Sequence, residues 1–64
     1  MTSRELLRRL RRVGAEIVAG RGKGGHVMVR RGEMATYVPT GTGEVPPGTI
    51  AAILKGLGLR RDQI

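Results

Sequence analysis

Residues 26–39 read His26-Val27-Met28-Val29-Arg30-Arg31-Gly32-Glu33-Met34-Ala35-Thr36-Tyr37-Val38-Pro39, and this stretch decides the fold. Val27 and Val29 alternate with His26, Met28 and Arg30, the period-two pattern of a half-buried strand. Arg31-Gly32-Glu33 is short enough to reverse the chain tightly. Met34–Val38 then reads as a strand running back along the first, closed by Pro39, which has no N–H to give to a ladder. The two valines are the better core candidates, so His26, Met28 and Arg30 are expected on the opposite face. A slip of one residue in pairing would turn the histidine inward.

Upstream, Gly20-Arg21-Gly22-Lys23-Gly24-Gly25 reads as a loop, since so glycine-rich a run has almost no intrinsic structure. Ala15–Ala19 before it is a short strand, although its alanines are weak strand formers. Ahead of that lies a helix. Thr2 and Glu5 have the spacing of a capping box, and Leu6, Leu7, Leu10 and Val13 form one apolar stripe closed by Gly14. Downstream, Thr40–Glu44 reads as a loop, and Pro46 or Pro47 opens a second helix. That helix carries Ile50, Ile53, Leu54 and Leu57 on one side and ends at Gly58, with Leu59 placed for the apolar contact of a Schellman motif. The order helix, three strands, helix gives an α+β fold, α-β-β-β-α. Hairpins make the sheet antiparallel, and two amphipathic helices with one sheet bury their stripes best on a single face. Double-stranded-RNA-binding domains share that layering.

Sixty-four residues allow one domain, spanning 1–64, with a thin core and no cysteine to staple it. A marginal monomer is expected, one that a partner could stabilise by covering it. Twelve Lys and Arg against five Asp and Glu give a net charge of +7, and ten of the twelve are Arg. That balance points to a polyanion, because neutralising phosphates releases counterions and Arg forks onto phosphate oxygens. With a single Tyr and no Trp or Phe, the sequence lacks anchors for a lipid interface. No apolar run reaches the length of a membrane span and no signal-peptide pattern opens the chain, so a cytoplasmic protein is expected.

His26 is the one side chain suited to moving a proton near neutral pH. Composition alone leaves it an ordinary surface residue. Its expected place at the mouth of the glycine loop, on the open face and beside Arg30, makes it a candidate for chemistry on a phosphodiester. Arg8, Arg9, Arg11 and Arg12 occupy the outer surface of the first helix. They suit either tracking an RNA backbone or docking an acidic protein, with electrostatic steering as their common effect.

Lys23-Gly24-Gly25-His26 ahead of a strand resembles the Gly-[Ser/Thr/Gly]-His element of HicA-family mRNA interferases. Leu6-Leu7-Arg8-Arg9-Leu10-Arg11-Arg12-Val13-Gly14 is similar to that family's first helix, and Val38-Pro39 to the end of its third strand. Gly43-Glu44-Val45-Pro46-Pro47-Gly48-Thr49-Ile50, with Ile53-Leu54-Lys55 and Gly58-Leu59, resembles its last loop and helix. The likeness covers about Ser3 to Leu59. Two positions depart from it: Ala15, where an aromatic is frequent, and Gly41, where many members carry a second histidine. The resemblance implies the toxin of a type II toxin–antitoxin pair, an endoribonuclease that cuts mRNA and is held inactive by a HicB-type antitoxin. His26 is the one residue it carries over as catalytic.

The five scattered acids do not suggest a two-metal nuclease, so cleavage without metal or cofactor is expected. His26 would be general base on the 2′-hydroxyl or general acid on the leaving oxygen. Lys23, Arg21 or Arg30 would stabilise the phosphorane, and the backbone N–H groups around Gly24 and Gly25 would contact phosphate. Arg8 and Arg12 complete the expected RNA contacts. The alternative is a non-catalytic RNA-binding module with the same basic face. A third possibility is a domain that uses its charge to hold a protein partner.

Overall fold

Two turns of two residues each make the sheet. The computed structural model describes residues 1–41 and 43–64, with the side chains of all of these except 19–23. Helix α1 spans Ser3–Arg12, strands β1, β2 and β3 span Glu16–Lys23, His26–Arg31 and Met34–Pro39, and helix α2 spans Pro47–Gly56. A turn of 3-10 helix over Arg61–Gln63 follows. The strands lie in the order β1-β2-β3, both pairs antiparallel. This is the α-β-β-β-α, α+β architecture expected.

Between β2 and β3 the register is unbroken, with Arg31 opposite Met34, Val29 opposite Thr36 and Val27 opposite Val38. The glycine run is the main departure from expectation. β1 continues through residues 20–23 and does not stop at Ala19, so the loop shrinks to the turn at Gly24–Gly25, where Lys23 pairs with His26. Pairing with β2 overrides the poor strand propensity of glycine. The irregularity it tolerates falls between Val18 and Lys23, where the register shifts.

Helix α1 begins as half of a capping box. The Thr2 hydroxyl accepts from the Glu5 N–H at 3.1 Å, but the Glu5 carboxylate turns away to Arg8 and Arg9, because two guanidiniums outbid one backbone N–H. At the other end of α1 the Ala15 N–H reaches the Leu10 carbonyl at 3.0 Å, and in α2 the Leu59 N–H reaches Leu54 at 2.8 Å. Both are Schellman closures, and Gly14 and Gly58 sit at φ +93° and +70° within them. Pro46 caps α2 and Pro47 is its first residue.

Leu6 and Leu10 of α1, with Ile50, Ile53 and Leu54 of α2 and its C-cap Leu57, are buried against Val29 and Val38 of the sheet. Val45, Ala15 and Leu59 fill the margins of this core. Val27 is half-buried and belongs to the same face. Both helices therefore lie on one side of the sheet. The other side carries Glu16, Val18, His26, Met28, Arg30, Ala35, Tyr37 and Pro39, in three cross-strand rows set by the register.

Candidate functional site

His26 is the first residue of β2, and its side chain is exposed on the face turned away from the helices. It sits between Lys23 of β1 and Pro39 of β3. The turn before it is fixed from the far side of the sheet. The Gly25 carbonyl accepts from the N–H groups of both Thr40 and Gly41, the second at 3.3 Å. Gly25 has φ +80°, which a side chain would resist, and a β-carbon on Gly41 would lie 3.7 Å from the Gly25 α-carbon. Two backbone segments thus close against each other beside the imidazole.

The same loop leads to α1. The Ser3 N–H donates to the Gly43 carbonyl at 3.1 Å, and Thr2 bridges to Glu44. The first turn of α1 and the histidine therefore share one end of the sheet. From that end a groove runs along α1 toward β1, starting at Thr40 and walled by Arg4, Arg8, Arg11 and Arg12, with Leu7 and the edge residue Ile17 as its apolar part. Of these arginines Arg8 is tied to Glu5, whereas among the described residues no acidic side chain pairs with Arg4, Arg11 or Arg12. Hydrogen bonds from Arg8 and Arg9 hold the Glu5 carboxyl at about 2, well below its ordinary 4.5.

Of the residues expected at the site, Gly24 and Gly25 form the turn directly ahead of His26. Arg30 shares the outer face with His26 but lies four residues along the strand, about 13 Å at the usual rise. Met28 stands between them, and the Arg30 guanidinium binds Glu16 of β1, with Nε 2.9 Å from the carboxylate. It is not beside the imidazole. Arg8 and Arg12 lie on α1, on the helical side. The side chains of Arg21 and Lys23 fall outside the described residues. Among the described residues no three His, Cys, Asp or Glu side chains gather as a metal site would require.

The family model for the HicA toxin of bacterial toxin–antitoxin systems matches residues 3–59. The chain belongs to the HicA toxin family. No curated protein matches it. As a HicA-family member it is a toxin that pairs with an antitoxin. None of its described helices is long and apolar enough to cross a membrane.

Two features of this candidate site escaped the reading of the sequence, and a third was left out although the sequence displayed it. The Glu16–Arg30 pair joins residues 14 apart through a register that composition does not encode. Thr40 joins the groove through the Gly25 carbonyl, and only its position after Pro39 hinted at this. Arg4, by contrast, was visible one turn ahead of Arg8 on the same helix surface and belonged with the arginine cluster from the outset.

Proposed function

We propose that this HicA-family toxin is an endoribonuclease that cuts mRNA in the cytoplasm with His26 as its catalytic residue, the whole of residues 1–64 acting as one domain. The observation that supports the reading best is the exposure of His26 on the sheet face that neither helix covers. An imidazole there can take the proton of a 2′-hydroxyl as its oxygen attacks phosphorus, or give a proton to the leaving 5′-oxygen. The first role leaves a 2′,3′-cyclic phosphate on one product and a 5′-hydroxyl on the other. No metal ion is needed in either role. Backbone N–H groups around Gly24 and Gly25, with Lys23 and Arg21, are proposed to meet the charge that builds on the phosphorane. Arg30 reaches the RNA farther along the strand, if it leaves Glu16. Arg8 and Arg12, joined by Arg4 and Arg11, bind the backbone beyond the scissile bond. A HicB-type antitoxin covering the sheet face would silence the toxin.

The test is cleavage of single-stranded RNA in excess EDTA. Persistent cutting that disappears in His26→Ala, with DNA of the same sequence left whole, supports the scheme. Strict dependence on a divalent metal refutes the metal-free part. RNA binding without cutting by the wild-type chain, and growth arrest equal in wild type and His26→Ala, would instead favour the non-catalytic RNA-binding module.

A further inference from the structure

We propose that Tyr37 is a stacking platform for one nucleobase of single-stranded RNA, adjacent to the phosphate presented to His26. This rests on the ribonuclease reading and adds to it the group that seats the substrate on the sheet. Tyr37 is 50% exposed. Its place opposite Met28 in the β2–β3 register puts it on the outer face, and His26 pairs with Pro39 two residues farther along β3. Tyr37 and His26 are therefore diagonal neighbours on one face, about 7–8 Å apart by ordinary sheet geometry. β3 is an edge strand, so one flank of the ring has no neighbouring strand.

Charge makes the case for stacking here. Among the described side chains the outer face carries one guanidinium, Arg30, and Glu16 holds it. The described cations without an acidic partner on α1, Arg4, Arg11 and Arg12, lie on the opposite side of the sheet. At Tyr37 a nucleotide thus meets an aromatic ring bordered by Met28 and Pro39, with no unpaired guanidinium among the described side chains of that face. Such a surface holds the π-face of a base and does not track a phosphate backbone. Stacking tolerates any base, so Tyr37 confers at most a preference for the larger purine ring at its position.

The chain has one Tyr and no Trp, so its intrinsic emission reports on Tyr37 alone. The experiment uses a single-stranded oligoribonucleotide with 2′-O-methyl sugars, which cannot be cut, and follows binding by anisotropy of a labelled copy and stacking by tyrosine emission with an unlabelled one. Cleavable RNA of the same sequence then gives KM and kcat for wild type, Tyr37→Phe and Tyr37→Thr, the latter a substitution that an exposed strand position accepts. Binding should quench the emission. Tyr37→Thr should raise KM roughly 5- to 150-fold, the span that truncating a stacking aromatic produces, with kcat little changed. Tyr37→Phe should match wild type. Binding without quenching, with KM unchanged in Tyr37→Thr, overturns the platform and leaves the ribonuclease standing. Equal loss in the Phe and Thr variants assigns the effect to the hydroxyl and also overturns it. If no RNA binds or is cut, both readings fall.

Discussion

Removing the guanidinium of Arg31 should loosen both helices at once. The side chain is half-buried on the helical face of the sheet, and it donates from Nε to the Val13 carbonyl at 3.4 Å and from a terminal nitrogen to the Leu57 carbonyl at 3.2 Å. Val13 and Leu57 are the C-caps of α1 and α2, where carbonyls lack helical partners and the helix dipole is negative. Charged hydrogen bonds contribute about 1.5–3 kcal/mol each at good geometry, but these are long, so about 0.5–1 kcal/mol each is the fairer figure. The dipole interaction adds about 0.3–1 kcal/mol per helix. Together they give about 2–4 kcal/mol, or at least about 8 °C in Tm for a domain of this size. Arg31→Met keeps most of the stem and removes the head, so it isolates that sum. Arg31→Lys retains a charge but cannot fork to both carbonyls, and should recover about half. Arg11→Ala, exposed on α1, is the control and should stay within about 0.5 kcal/mol of wild type. Urea unfolding followed by circular dichroism measures all four proteins. If Arg31→Met unfolds within about 0.5 kcal/mol of wild type, Arg31 does not clamp the helices and the argument is wrong.

Other consequences follow from single contacts. The Glu5 carboxyl titrates lower folded than unfolded, so its share of stability is complete above about pH 4.5 and drains away as pH falls toward 2; Glu5→Gln should flatten that stretch of a Tm-against-pH curve. Gly58→Ala forces a β-carbon at φ +70° to within 2.9 Å of the Met34 sulfur, and should cost about 1–2 kcal/mol in urea unfolding, less if Met34 is shortened as well. Glu16→Gln releases Arg30, so the slope of log affinity for single-stranded RNA against log salt should steepen by about 0.7, one further phosphate contact; an unchanged slope would show that Arg30 never reaches the strand.

Much of this architecture was legible because local and tertiary signals agreed. The alternation of Val27 and Val29 named the buried face of β2, and with it the exposure of His26, before any contact was known. Thr2, Gly14, Pro47 and Gly58 marked the helix ends through backbone requirements that few other residues meet. The glycine run misled because its propensity is uninformative once a partner strand supplies the hydrogen bonds. Arg31 was invisible for a related reason. In sequence it belongs to a charged turn, and nothing there says that its side chain folds inward to two carbonyls 18 and 26 residues away. Arg30 beside it points the other way, into Glu16. Net charge therefore overstates the cations open to a polyanion, since Arg8, Arg9, Arg30 and Arg31 each have partners within the fold.

The loop between β3 and α2 connects the two sides of the molecule. Thr40 and Gly41 hold the carbonyl of the residue before His26, and Gly43 holds the first N–H of α1, so the histidine and the mouth of the arginine groove are set by one backbone segment. Gly41 lies beside the histidine turn, its N–H 3.3 Å from the Gly25 carbonyl. A β-carbon there would make only an ordinary contact, at 3.7 Å, and the glycine has no positive φ that a side chain would resist. Backbone geometry therefore does not explain why position 41 is a glycine. A β-carbon has room at 41, one hydrogen bond from the turn that presents His26, so the backbone admits a side chain there.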